Sequence, residues 1–265
     1  AASKFFLMPQ VNYKWEPFEL YDQSGNSLAR FRNESFDAGL YLGYDMGRFG
    51  RIKAGGGWLD TRTKTEISLI GMQAKAQAYY TEVSFEVDTL DHASFPTKGL
   101  LLDASVRRAL SPDAQHMDVI DGVSYDVNIW KPLKLGDRTT LLLSGRYARA
   151  PQAGNFNIGG VFNLSGSPYG RYAGNRVNLA RAMLYHDVSR HVDLFGMPVY
   201  LGASFEFGRA FDEGDPSQGW QLDRQWKRAG SVYVAVDSWL GPLYLVAGRT
   251  FGEESAVTLY WGQLH

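Results

Sequence analysis

The sequence predicts an all-β chain, an antiparallel transmembrane β-barrel of about 12 strands. Three observations carry this. Apolar and polar residues alternate with a period of two along most of the chain, no helical period competes, and the alternating faces are too many and too charged to fill a soluble core. A period of two puts alternate side chains on opposite faces of a pleated strand, whereas an amphipathic helix needs spacings of three and four. The chain has 27 Lys and Arg against 28 Asp and Glu in 265 residues, a net charge of −1, so neither a basic field for nucleic acid nor an acidic field for cations is available. Hydrophobic residues make up 45%, which excludes a disordered chain. Cysteine is absent, which removes disulfides, a thiolate nucleophile and Cys-based metal sites. No run of about 18 apolar residues offers a transmembrane helix. The start, Ala1-Ala2-Ser3-Lys4, lacks the order of a signal peptide.

Turn signals divide the chain into strands at roughly 5–20, 28–46, 51–67, 74–89, 100–110, 123–131, 139–149, 176–188, 198–210, 231–240, 243–251 and 256–264. In the fourth, Tyr79, Thr81, Val83, Phe85 and Val87 alternate with Tyr80, Glu82, Ser84, Glu86 and Asp88, so one face carries three carboxylates. In the fifth, Leu102, Ala104 and Val106 alternate with Asp103, Ser105 and Arg107. The sixth sets Val123, Tyr125, Val127 and Ile129 against Ser124, Asp126 and Asn128, and the seventh sets Leu141, Leu143 and Tyr147 against Ser144 and Arg146. The ninth sets Leu201, Ala203, Phe205 and Phe207 against Gly202, Ser204, Glu206 and Gly208.

The connections differ by end. Met46 to Arg51, Phe95 to Gly99, Pro132 to Arg138 and Leu240-Gly241-Pro242 are mostly tight, while the links after the seventh and ninth strands are long and polar. Short turns at one end and long loops at the other match an outer-membrane barrel, and an even strand count puts both termini on the periplasmic side. A soluble sandwich or lipocalin-like barrel alternates too. There the apolar face fills the interior, and faces of Val, Leu, Phe and Tyr from every strand would overfill it. In lipid the apolar face points outward and the charged face lines a wet lumen. Tyr13, Trp15, Tyr44, Trp58, Trp130, Tyr147, Trp239 and Trp261 near strand ends fit interfacial girdles. The expected organisation is a single barrel domain over 1–265.

Catalytic combinations are missing. There is no Gly-x-Ser-x-Gly elbow, phosphate loop or His-Glu-x-x-His helix. His186 and His191 with Asp187 and Asp193 read as a solvated turn rather than a metal site, and Asp121-Gly122 as the turn before the sixth strand. No catalytic, cofactor-binding or metal-binding residue is therefore expected. The unusual segment is APQAGNFNIGGVFNLSGSPYGRYAGN at 150–175, which embeds Phe156, Ile158, Val161, Phe162 and Leu164 in Gly, Asn, Ser and Pro. A connection longer than about 12–15 residues is usually functional or disordered, and its apolar anchors suit a loop folded back against the lumen wall.

Two segments carry a resemblance. Leu90-Asp91-His92-Ala93-Ser94-Phe95-Pro96-Thr97-Lys98-Gly99 resembles the Asp…Phe-Pro-Thr-x-Gly turn of the bacterial surface antigen superfamily, which contains BamA-like insertases and two-partner secretion transporters. Its motif positions are Asp91, Phe95, Pro96, Thr97 and Gly99. Asn157-Ile158-Gly159-Gly160-Val161-Phe162-Asn163-Leu164-Ser165-Gly166, with Tyr172-Ala173-Gly174-Asn175, is similar to the family's sixth extracellular loop, in the variant of patatin-like type Vd autotransporters. Five strands follow the loop, as the family pattern requires. Seven precede it, so the resemblance implies that four strands of a sixteen-stranded family barrel, any periplasmic POTRA domain and any patatin passenger lie outside this chain.

Departures from the family are informative. The family's loop carries an arginine expected to pair with an acid in Phe-x-Asp-x-Gly two strands later, but here Ser165 and Glu206-Phe207-Gly208 stand at those places. The expectation is that Arg171 substitutes and reaches Glu206, with Gly159, Gly160, Leu164, Ser165 and Gly166 forming the lumen loop and Gly208 beside the acid. The terminal alternation Val257, Leu259, Trp261 resembles the assembly signal of such barrels, with Gln263-Leu264-His265 in place of the usual final aromatic.

The resemblance implies a translocator that helps export an N-terminal phospholipase passenger. The alternatives are a stand-alone barrel for insertion or membrane remodelling, and a passive pore. Implied partners are outer-membrane lipid, a polypeptide passenger in cis and the BAM machinery, with no nucleic acid and no cofactor. An unpaired first strand in lipid leaves backbone groups unsatisfied at several kcal/mol each, so the chain must close, form a homodimer or swap strands.

Overall fold

The computed structural model describes residues 4–21, 27–67, 73–110, 122–151, 156–192, 194–212 and 225–264. Asp121, Asp193 and residues 152–155 of the long loop lie outside that set. The strands are β1 (Phe5–Tyr21), β2 (Ser27–Asp45), β3 (Arg51–Ile67), β4 (Gln73–Asp88), β5 (Leu101–Leu110), β6 (Gly122–Lys134) and β7 (Thr139–Arg149). After them come β8 (Phe156–Ile158), β9 (Tyr172–Gly174), β10 (Arg176–Asp187), β11 (Val199–Phe211), β12 (Lys227–Ser238), β13 (Gly241–Thr250) and β14 (Ser255–Trp261).

Twelve of these form one sheet in chain order from β1 through β7 to β10 and on to β14, while β8 and β9 pair with each other. The twelve sheet strands are those that the alternation predicts. Two differences have physical causes. The short pair β8–β9 lies inside the long loop, where its three-residue strands are too brief to show a period. Strand β12 begins at Lys227, four residues before the apolar alternation, because Lys227 and Arg228 continue the ladder opposite Gly208 and Phe207 beyond the apolar run.

Two compact units divide the chain. The first holds residues 1–87, 103–127 and 148–155. In it β1–β4 pair antiparallel, and arginines meet carboxylates on their charged face. The Arg107 guanidinium donates to Glu82 at 2.7 Å and to Asp37 at 3.1 Å and lies 4.1 Å over the Tyr80 ring, whose hydroxyl donates to Asp37 at 2.7 Å. Arg51 binds Glu86 through two nitrogens at 2.6 and 3.0 Å. Glu82 and Glu86 of the β4 face thus have arginine partners on the neighbouring strands β5 and β3.

The second unit holds residues 88–102, 128–147 and 156–265. Its strands β10–β14 pair antiparallel, and covered residues alternate with more exposed ones along β13, along β11 from Ala203 onward and along β12 from Arg228 to Ala235. The assignment is inverted relative to a water-soluble protein. Leu201 is 48%, Leu245 53% and Val257 75% exposed, whereas Glu206 is 0% exposed. Ser204, Ser231, Tyr233, Tyr244 and Thr250 share the covered face with Glu206, and the long loop provides the cover. An apolar outer face with polar groups inside is the arrangement that a hydrocarbon surround stabilises.

Candidate functional site

The covered face of β10–β13 and the loop from Ile158 to Tyr172 form one site, built around the Glu206 carboxylate. Strand parity points Glu206 at the loop, and the loop supplies the donors. Leu164 N–H and Ser165 N–H donate to Oε2 at 2.8 and 2.5 Å, and the Ser165 hydroxyl donates to Oε1 at 2.8 Å. The Ser204 hydroxyl, two residues along the same face, also donates to Oε1. Four donors on one buried carboxylate meet the requirement that a desolvated charge be hydrogen-bonded on both oxygens.

The loop pays for this geometry in its backbone. Phe162 and Leu164 hold left-handed conformations, with φ of 55° and 76°, which side-chain-bearing residues rarely adopt. Ser165 Oγ accepts from Phe162 N–H at 2.9 Å and so braces that turn. Gly166, with φ of 101°, passes so close to β13 that a Cβ there would stand 2.6 Å from the Arg249 Cα and the Thr250 nitrogen. A Cβ on Gly248 would likewise meet Ser165 at 2.6 Å, so the loop and strand approach backbone to backbone. Thr250 and Ser167 join their hydroxyls at 2.8 Å across the same seam.

Arg171 does not supply the cation that the sequence reading expects at Glu206. Its Nη2 lies 3.9 Å from Glu254 Oε1, on the returning arm of the loop after Gly170. The cation beside Glu206 is Arg181, its cross-strand partner in the β10–β11 register. Arg181 donates to the Phe162 carbonyl and to Ser144 Oγ, each at 2.9 Å, and lies 4.5 Å over the Trp130 ring. It therefore grips the loop from the carbonyl side while Glu206 grips it from the N–H side. Sequence reading missed Arg181 and Ser204, although parity offers a signal: Ser204 shares Glu206's face by its spacing of two. Gly159 and Gly160 take φ of 131° and 97° at the loop's entry, and Gly208 packs on Leu179 beside the acid.

The Asp91 turn lies in the same unit. Asp91 Oδ1 accepts from Thr97 N–H at 2.7 Å and from Lys98 N–H at 3.0 Å, and Oδ2 accepts from the Thr97 hydroxyl at 2.6 Å. Gly99 has φ of 99°, and a Cβ there would strike the Thr89 carbonyl at 2.1 Å, so the motif's glycine is sterically required. The folded turn projects Phe95 onto Tyr200, stacked at 3.9 Å, and against Tyr185 and Tyr244 at 5.8 and 5.7 Å. The Tyr185 hydroxyl donates to the Pro96 carbonyl. From the loop, Phe162 packs edge-on against Tyr233 at 4.9 Å and Tyr244 at 5.5 Å. Both motif segments therefore meet at Tyr244. Of the histidine group, His186 Nδ1 is spent on the Thr139 hydroxyl at 2.8 Å and Asp187 on Ser189.

No protein-family model matches the sequence, and no curated protein matches it. Among solved structures, BamA from Haemophilus ducreyi lacking POTRA domains 1–3 is similar with a TM-score of 0.70, at 12% identity, over 96% of this chain and 57% of that one. CdiB from Acinetobacter baumannii is similar with a TM-score of 0.55, at 14% identity, over 97% of this chain and 46% of that one. The chain thus spans about half the length of the structures it matches, and what it shares with them is the fold of a BamA-like β-barrel.

Two outcomes are expected. Glu206→Ala leaves two buried loop N–H groups without their acceptor and Arg181 without its cross-strand anion, a loss of about 3–5 kcal/mol. The loop should lift, and trypsin should cut the folded protein at Arg171, where the parent resists; Gly248→Leu, which displaces Ser165 directly, should do the same. For the turn, burial pushes the Asp91 carboxyl up, but the Thr97 hydroxyl and the Lys98 and Thr97 N–H groups outweigh it and hold it below the usual 3.8. Its contribution is complete above that value and is lost as pH falls through the lower folded value. Amide exchange at Thr97 and Lys98 should accelerate below about pH 4, and Asp91→Asn should make it fast at every pH.

Proposed function

We propose that this chain is the membrane-embedded part of an outer-membrane protein that moves or inserts polypeptide, and that it serves as the translocator barrel of a patatin-like autotransporter. The observation that supports this is the long loop held on the polar face by Glu206 and Arg181, in a chain whose fold is similar to BamA and CdiB over nearly its whole length. A loop fixed there gives the interior a rigid polar wall along which an unfolded chain can pass without meeting hydrocarbon. The passenger reading rests on the likeness of 157–166 and 172–175 to the autotransporter loop. Catalysis belongs, on this reading, to a passenger outside these residues, and the short turns face the periplasm.

The test is the intact mass of the native gene product purified from outer membranes, against 29.6 kDa for this chain. A larger product that hydrolyses esters and displays that activity on the cell surface is the expected result. A product near 29.6 kDa leaves no room for a passenger and moves the reading to a stand-alone remodelling barrel. Steady single-channel conductance from that product would instead indicate a pore.

A further inference from the structure

The exposed faces of three neighbouring strands end alike. On β11 the outward residues run Leu201, Ala203, Phe205, Phe207 and then Arg209; on β12 they run Val234, Val232, Gly230 and then Arg228; on β13 they run Leu243, Leu245, Ala247 and then Arg249. All three arginines stand at the same end of their strands, where β11 leads into the long connection to β12 and β13 turns into β14. Phe207 pairs with Arg228 and Gly230 with Arg249, so each arginine is the diagonal neighbour of the next. Such steps are about 7–8 Å, which spreads the three charges over roughly 15 Å.

None of the three has a carboxylate partner among the described residues. The Arg209 guanidinium rests on Phe211 and Trp226 at 4.3 and 4.5 Å, with its Nε lacking an acceptor, and Arg228 and Arg249 are exposed. The carboxylates near this end are used elsewhere: Glu253 binds Lys227 at 2.5 Å, and Glu254 lies 3.9 Å from Arg171. Beside the arginines is an open groove of about 590 Å³, whose apolar lining includes Phe205, Gly230, Val232, Ala247 and Val257, with Arg249 at its margin.

We propose that this surface binds a lipid carrying more than one head-group phosphate, with the phosphates on Arg209, Arg228 and Arg249 and an acyl chain over Gly230 and Ala247. This rests on the membrane reading above, which puts the face against lipid and the arginines at the head-group level. Guanidinium groups match phosphate geometry with paired N–H donors. Three of them along 15 Å exceed what a single phosphate can engage, and the adjoining groove gives hydrocarbon a place that free phosphate would not use. The occupant is therefore a multiply phosphorylated lipid and not a soluble anion.

The test is native mass spectrometry of the full chain folded in detergent, titrated with bisphosphorylated lipid A, phosphatidylethanolamine or inorganic phosphate. Retention of lipid A over phosphatidylethanolamine is expected, with binding weakened at least about tenfold by Arg228→Gln with Arg249→Gln. Ala247→Trp, which fills the groove, should weaken it without removing a charge, and Arg190→Gln, exposed in the turn at the opposite strand end, should not. Equal retention of both lipids, undiminished binding by both groove and arginine variants, or displacement by millimolar phosphate would overturn the proposal. Insertion into vesicles, read from heat-modifiable migration, is scored separately: a chain that inserts but ignores lipid A loses this site only, whereas a chain that fails to insert loses the membrane reading.

Discussion

A strand that crosses hydrocarbon must pair its backbone polar groups with neighbouring strands and present apolar side chains outward, which leaves the alternate polar residues facing in. Glu206 is the sharpest consequence. The parity that turns Leu201, Ala203 and Phe205 outward turns Ser204 and Glu206 inward, and a carboxylate with no exposed surface has to find donors there. The long loop supplies three of the four. Its left-handed Phe162 and Leu164, and the close passage of Gly166 over β13, are the backbone cost of aiming those donors.

A family arginine would meet the acid with a side-chain charge. Here Ser165 occupies that place, and the contact is made by main-chain N–H groups and hydroxyls, while the positive charge sits on β10 as Arg181. The distinction matters mechanically. A guanidinium on the loop would carry its charge with it if the loop moved, whereas Arg181 stays on β10 and holds the loop by the Phe162 carbonyl, while the loop meets Glu206 with neutral donors. Tyr244 extends the linkage, because Phe162 from the loop and Phe95 from the Asp91 turn both pack on it. Two segments distant in sequence thus share one aromatic cluster.

Much of the fold was legible in the sequence because a pleated strand with unlike surroundings on its two faces shows a period of two, and β2, β3 and β7 fall where alternation and turn residues put them. The exceptions obey other rules. Lys227 and Arg228 extend β12 past the apolar run through backbone pairing, to which hydrophobic alternation is blind. In the site, the loop and Glu206 were identifiable as partners through the family resemblance. Arg171 was not separable from Arg181 as the nearby cation, since the choice depends on the β10–β11 register and on the turn at Gly170, and neither is written in residue type. The outward arginines were likewise invisible until parity and register placed them on one face.

The central claim is that the loop is seated on β13 whenever the barrel is folded. The chain has no cysteine, so a single engineered pair reports cleanly. Ser167→Cys with Thr250→Cys replaces two hydroxyls that are 2.8 Å apart. In folded protein inserted into vesicles, the account predicts near-complete disulfide formation under mild oxidant, abolished when Glu206→Ala is added. Free reaction of both cysteines with a bulky maleimide in the otherwise unaltered folded barrel would contradict it.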